Sequence, residues 1–590
     1  MLFISITLLY SLSDAYDGEV GSIQGDSDPK DCQGHGAHVA GIIGAHDSNF
    51  VGVAPDVTLG AYKVFGCDEG PPDGMIIKGV EMAVTDKMDV INLSLGGALP
   101  YSDDPISRAL NNDAGVVVVV AAGNDGMSGL WTIGSPSTAT NAIGVASFDH
   151  VKYPGQSFTI NEDKDWWVQP IKGRSYWKVR SLLQGRILRT VKGVNAQNAG
   201  AVGAFVYSST SGAYIATTMD PSLKIPLMGL QVSDAAYLND LFTKNKNLSI
   251  TFDTEHKLYE NPNGGKLSSF TAWGPDFELN FKPDVGAPGG LIYSTFLIAK
   301  GSYAHLRAGA VKELNFDGIA SAAKQGARLI NVWDAICANT LVSPSKFSFN
   351  DTTHLKDAHT FTVTNNGEKS VTYAIKHVPA VSVNGYDKKG YPTLQNPFVF
   401  SGSSAVVRLS PSTVTVRPGQ SKQVKVVFSP PKFDKKDLWI YSGYVHFKPL
   451  NSEDNEVSVP YAGVAGDLHS ITVIDTKGER QPSVVSLVSG APKKVYSLVG
   501  NDVPLLRKGK ELGLIGLVEG GFSRNYPGTD IKVTFDGSII VVKNGRAQEV
   551  EAPSGTYTLT VKGFKPFGNP NTPADFDTWT SAPFEVKRAN

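Results

Sequence analysis

The chain has 590 residues, more than one hydrophobic core organises, so length alone predicts about three to five domains. A net charge of −2 with 19% charged residues offers no basic surface for nucleic acid or anionic membrane, and 61 glycines and 34 prolines point to loop-rich, β-rich architecture and away from coiled coil. Three cysteines, Cys32, Cys67 and Cys337, are too few for a disulfide framework, and no apolar run is long enough for a membrane-spanning helix.

The N-terminal run 1–10 has the length and apolarity of a signal peptide, without its basic start or small-residue cleavage site. In residues 31–44, polar and glycine residues feed an apolar segment with small side chains at Ala37, Ala40 and Gly41. That pattern predicts a loop entering a helix packed closely against a sheet, with His35 facing a cavity. A lone histidine in such a place is more often a packed or capping residue than a catalytic one. From residue 51 apolar strands alternate with helices: a strand within 53–65, a helix over 75–88, a strand over 89–97, a helix over 106–114 and a continuous apolar strand over 116–124. Runs apolar on both faces predict a parallel sheet with helices on both sides. Its glycine-rich strand ends, 94–97 and 122–126, lie where such sheets build their sites.

Three of these strings carry a family resemblance. Gly34-His-Gly-Ala-His-Val-Ala-Gly-Ile42 resembles the histidine motif of the subtilisin-like serine peptidases, with Ala37 where that family usually has Thr. Ile91-Asn-Leu-Ser-Leu-Gly-Gly97 resembles the strand lining their substrate cleft, and Ala121-Ala-Gly-Asn-Asp-Gly126 their oxyanion-hole loop. Each glycine loop alone reads as an ordinary strand-to-helix turn; three motifs in family order over about ninety residues do not. The resemblance implies that His35 is the general base and His38 a structural neighbour. It implies that a peptide adds as an extra strand along Ser94, Leu95 and Gly96, and that Asn124 donates its amide to the developing oxyanion. It further implies a protein or peptide substrate, no cofactor, structural calcium left open, and secretion to the exterior or cell wall. In that setting Cys32 and Cys67 can pair, leaving Cys337 over, or all three stay as free buried thiols. Asn247 and Asn350 head glycosylation acceptor patterns; Asn92 does too, but is expected to be buried in its strand.

Residues 151–260 interrupt the pattern. The strings 195–209 and Lys224-Ile-Pro-Leu-Met-Gly-Leu230 resemble a protease-associated domain, a module that in relatives contributes to substrate or partner selection, although 164–168 and beyond lack its cysteine-flanked Arg-Gly pattern. The peptidase strings resume at Leu267-Ser-Ser-Phe-Thr-Ala-Trp-Gly-Pro275 and Phe281-Lys-Pro-Asp-Val-Gly-Ala-Pro-Gly-Gly290, read as a loop before a strand at 292–295. A family member continues with Ser-Gly-Thr-Ser-Met-Ala, whose second serine is the nucleophile. That string does not occur here; Ser302 and Ser321 are the nearest serines, neither lies in a glycine turn, and no nucleophile is assigned. No orienting Asp is assigned either: the family's Asp-Thr-Gly strand end is not found, the chain is expected to begin after it, and Asp14 and Asp17 are poor substitutes.

From 341 the texture turns β, with alternation at 360–364, 414–416, 424–428 and 441–447, resembling a fibronectin type III-like sandwich. The expected fold class is therefore α/β, a subtilisin-like parallel sheet with helices on both faces, interrupted by an insert and followed by all-β sandwiches. The expected domains are 1–150 (peptidase, first part), 151–260 (protease-associated insert), 261–340 (peptidase, second part), 341–465 (fibronectin type III-like) and 466–590 (a C-terminal β domain). By resemblance the chain is a serine endopeptidase that is inactive as written. A non-catalytic homologue that binds peptides or a protein partner is the alternative, and loss of coding segments from an active enzyme is a third reading. Because whole segments vanish while their flanks stay family-like, lost segments are favoured over gradual decay, and the peptidase domain is expected to fold poorly.

Overall fold

The computed structural model describes residues 10–11, 31, 34–47, 50–65, 73–97, 99–112, 115–160, 165–168, 176–178, 183–184, 189–201, 203–207, 224–225, 227–230, 232–244, 249–261, 263–290, 292, 294, 319–386, 398–452, 456–471, 484–485, 493–496, 504–507, 510–514, 532–535, 538–543, 546–551, 553–569 and 571–586.

The first part is α/β. Strand β1 (Tyr10–Ser11) pairs in parallel with β2 (Tyr62–Lys63). Helix α1 (His35–Gly44) lies between them in sequence. A four-stranded parallel sheet follows, built from β3 (Val90–Leu93), β4 (Val117–Ala121), β5 (Ile143–Asp149) and β6 (Val285–Gly290), side by side in that order. Helices α2 (Asp73–Thr85) and α3 (Pro105–Asn112) cover one face. There Met75, Val80, Ala83 and Leu110 pack on Ile91, Leu93, Val118 and Val120. Because side chains alternate across a strand, the intervening positions of β3 to β5 (even-numbered in β3, odd-numbered in β4 and β5) face the other way. On that face Asn92, Val119, Val145 and Ser147 are half-buried, and Val117, Ala121 and Ile143 are exposed.

Two expectations change. The strand expected over 53–65 shrinks to Tyr62–Lys63, because the N–H groups of Val53 and Ala54 bond to Ile42 and Ile43 O at the end of α1, and Val53 is exposed. The strand expected at 292–295 is not one at Ile292 or Ser294; the string before it is, pairing as β6 with β5.

Residues 151–260 leave and re-enter at one point. The strand Lys152–Ile160 pairs antiparallel with Ser249–Glu260, setting Lys152 opposite Glu260, and Asn261 donates to His150 O at 2.8 Å. Between these ends lie a three-stranded parallel sheet and the helices Arg189–Asn198 and Val232–Lys244.

Residues 340–465 form two sheets around Phe349, Phe361, Tyr373, Val424, Val426, Phe447 and Tyr461. This sandwich is fused to the α/β part. Leu130, Trp131, Trp273, Phe277 and Leu279 share one core with Val383, Phe398, Leu438, Ile440 and Val464. Beside it, Ser442 Oγ accepts from Ala322 N at 3.0 Å and Tyr444 OH donates to Gly326 O at 3.1 Å. Beyond 466 the described strands form further sheets, tied back by His469 Nε2 to Asp575 at 3.0 Å and by stacking of His354 on Phe567.

Candidate active site

Helix α1 opens with a built N-terminus. Asp31 accepts from Gly34 N at 2.6 Å and from Ala37 N at 2.7 Å, satisfying donors that a helix start leaves unpaired. Gly34 turns the chain at φ 90°, a left-handed conformation that favours glycine. His35, the first helical residue, is exposed, where the sequence pattern predicts that it faces a cavity rather than solvent. His38, one turn on, is buried, and its Nε2 lies 3.2 Å from Ile292 O as donor, while Ser294 Oγ donates to His38 O at 2.6 Å. Burial lowers the His38 pKa, the Ile292 bond opposes that, and His35 adds to the lowering. His38 therefore pins α1 to the chain that follows β6, and His35 stands clear of that contact.

Beyond β3, Ser94 Oγ accepts from Asn92 Nδ2 at 3.1 Å, which makes Asn92 half-buried and hydrogen-bonded where burial was expected. Leu95 packs beside Val64, Ile76 and Ile106. Gly96 adopts φ 153°, and a side chain there would collide with Ser135 O. Gly97 N donates to that carbonyl at 3.0 Å.

The loop after β4 is held from two sides. Gly134 N donates to Ala122 O at 3.0 Å, Ala272 N to Gly123 O at 3.0 Å, and Gly126 N to Phe270 O at 3.0 Å. Asn124 is left exposed between these anchors. Because β3 and β4 pair in parallel, with Leu93 opposite Val120, the Ser94–Gly96 segment and the Asn124 loop emerge side by side. Helix α1 is bonded to the chain leaving β6 at the same, carboxyl, end of the sheet, where α/β sheets place ligands.

Ser321 is buried; it accepts from Ala323 N at 3.3 Å and lies 3.0 Å from Ser442 Oγ, a capping role with no access to a substrate. Cys337 is free and exposed, which does not fit the alternative in which all three cysteines are buried thiols, and Asn350 is half-buried in the strand Phe347–Asp351. Asp14, Asp17, Cys32, Cys67, Asn247 and Ser302 lie outside the described residues. Among the described residues no three His, Cys, Asp or Glu side chains converge as a metal site would require.

Sequence reasoning passed over one buried charge cluster. Lys282, fully enclosed, donates to Ala142 O at 2.7 Å and to Asp284 Oδ2 at 2.9 Å; Gly144 N donates to the same oxygen at 2.7 Å, and Lys346, at the start of the sandwich, binds Oδ1. Burial works against the Asp284 charge, but the two ammonium groups hold its carboxyl below the usual range. The signal was present in the quoted Lys282-Pro-Asp284 string; its second lysine, 62 residues further on, was not recognisable.

The subtilase family profile matches residues 4–331, and an Fn3-like domain profile matches 347–462. The chain is 32% identical over 316 residues to the minor extracellular protease Vpr of Bacillus subtilis, covering 46% of this chain and 38% of that one. It is 26% identical over 577 residues to the PII-type proteinase of Lacticaseibacillus paracasei, covering 75% and 29%. The psychrophilic subtilisin-like protease Apa1 of Pseudoalteromonas sp. AS-11 aligns in structure with TM-score 0.27 at 18% identity, covering 44% of this chain and 78% of that one. The chain thus spans well under half the length of these two curated relatives. With a match over more than half of its residues, the chain belongs to the subtilase family, and an Fn3-like domain follows its peptidase region.

Proposed function

We propose that this chain is the framework of a secreted subtilisin-like endopeptidase that binds extended peptides along Ser94, Leu95 and Gly96 but, as its sequence stands, does not hydrolyse them. The observation that carries this reading is the loop 122–126, braced by Gly134, Phe270 and Ala272 so that Asn124 is exposed beside Ser94–Gly96. In a complete site a serine hydroxyl attacks the peptide carbonyl, His35 takes its proton, and the Asn124 amide donates to the oxyanion. No Gly-Thr-Ser-Met-Ala string lies between β6 and residue 331, so His35 is a base with no assigned nucleophile. Removing the nucleophile from such a triad lowers kcat by about 10⁶. Secretion is supported by the Bacillus relative being named an extracellular protease. Antiparallel pairing of Lys152 with Glu260 supports 151–260 as one inserted module, of protease-associated type, between peptidase parts 1–150 and 261–340.

A second reading concerns the origin of the gap. Among the described residues the face at Asn92, Val119, Val145 and Ser147 is only half-buried, as a sheet face short of a covering helix is, and this supports lost coding segments over an adapted non-catalytic homologue. Mass spectrometry of the natural protein across 295–330 separates the two. A Gly-Thr-Ser-Met-Ala peptide restores the active enzyme, and continuity through Leu306-Arg307 supports the non-catalytic homologue. Incubation with a labelled peptide tests the main proposal: binding without products is expected, and cleavage overturns it.

A further inference from the structure

The sandwich face that meets the peptidase part carries a buried imidazole. On the strand Trp439–Pro449, Ser442, Tyr444 and His446 share one face, since side chains two apart point the same way. Ser442 and Tyr444 bind residues 322 and 326, and Arg328 lies two residues further on. Arg328 turns at φ 88°, a left-handed conformation uncommon outside glycine. The chain around it joins β6: Gly286 N donates to Arg328 O at 3.0 Å, and Ile330 N to Gly286 O at 2.8 Å. One short segment is therefore held between the sandwich and the sheet. His446 is only 8% exposed. Its Nδ1 lies 2.5 Å from Glu456 Oε1 as donor, and its Nε2 is buried with no hydrogen-bond partner among the described residues. In the neutral ring that atom is a bare lone pair; in the imidazolium it is a charged N–H, costlier to bury unpaired.

We infer that acid loosens this junction: His446 gains a proton, and residues 319–330 come away from the Fn3-like sandwich. The groups around the ring fix the direction. Arg328, on the peptidase segment, opposes a second positive charge, and the exposed Glu456, just before the strand Val457–Ala465, favours it. Tyr444, whose ring centroid lies 6.0 Å away, is kept neutral by burial. His377, on the strand Val371–Pro379, repels the new charge once it is itself protonated, and Lys376, opposite His446 in register, is an exposed cation. Burial is the largest influence and lowers the His446 pKa; Glu456 opposes it, and Arg328 lowers it further. A histidine held below its ordinary value of 6.5 contributes in full above that pH and loses its contribution as pH falls through the lower folded value. His377 bonds to Tyr461 in the sandwich core and so acts on the sandwich itself, whereas His446 acts on what the sandwich holds.

The test is hydrogen exchange read by mass spectrometry on the full chain at about pH 7.5 and about pH 5, corrected for the intrinsic effect of pH on exchange. It compares the unmodified chain with His446→Phe, His446→Gln and His377→Phe. Protection of 319–330 is expected to drop about tenfold at the lower pH in the unmodified chain, the equivalent of about one pKa unit, and to drop likewise in His377→Phe. Neither His446 variant can take up the proton, so both hold their protection within about twofold. Glutamine keeps a donor for Glu456 and decides the matter should phenylalanine disturb the packing. Equal protection at the two pH values in the unmodified chain overturns the inference. So does a drop that persists in both His446 variants, or one that His377→Phe abolishes.

Discussion

Where the peptidase part meets the sandwich, Trp131, Trp273 and Phe277 share a core with Phe398, Leu438 and Val464, and Lys282, Asp284 and Lys346 close a buried charge cluster. On the side of the proposed cleft, Val119 and Val145 stay half-covered and the proposed site residues His35, Asn124 and Gly96 are exposed. One sheet thus has a consolidated border and an unfinished one. The Fn3-like sandwich acts as a structural part of the peptidase region, since Ser442 and Tyr444 bind residues 322 and 326 directly. The cleft side takes its order from loop-to-loop hydrogen bonds and from His38 on Ile292.

The contrast is sharpest at Asp284. Asp284→Ala leaves Lys282 buried without its counter-charge and is expected to cost about 3–5 kcal/mol in chemical denaturation; a loss below about 1 kcal/mol breaks the idea of a consolidated border. The sign with pH follows from the depressed carboxyl: its contribution is present above the ordinary aspartate pKa of 3.8 and disappears as pH falls through the lower folded value. Next come the two sheet faces. Val120→Ala, under α2 and α3, is expected to cost about 2 kcal/mol, and Val119→Ala, its neighbour on the half-covered face, about half that or less. Equal losses mean that the second face is as well packed as the first. Tyr444→Phe removes one bond across the junction, an expected loss of about 1 kcal/mol, seen as faster hydrogen exchange at 319–326 with the sandwich core unchanged. A pH-dependent effect belongs to His377, whose Nε2 lies 2.7 Å from Tyr461 OH and whose pKa burial, helped by the charge on His446, pushes down to about 4. Sandwich stability is therefore full above about pH 6.5 and declines from there towards pH 4, a slope that His377→Phe should flatten.

The motifs were legible because each is contiguous. Gly34, Gly96 and Gly123 sit at positive φ where their strings required glycine, and the apolar runs 90–93 and 117–121 became adjacent parallel strands. The capping role of Asp31 is not legible in its string, since capping depends on where the next six residues turn. The junction escaped because its partners lie more than a hundred residues apart, and nothing local to Trp131 or Trp273 announces Phe398 or Leu438. The run from Val53 misled because apolar residues there lean on the end of α1 and stay partly exposed, which a pattern of residue types cannot distinguish from a buried strand.

The central claim is that this chain presents a base, an oxyanion donor and a cleft strand without a nucleophile. Treating the full chain with a fluorophosphonate probe and mapping adducts by peptide mass spectrometry tests it most directly. The account predicts no labelled serine, Ser302 and Ser321 included. Stoichiometric labelling of a single serine would contradict it.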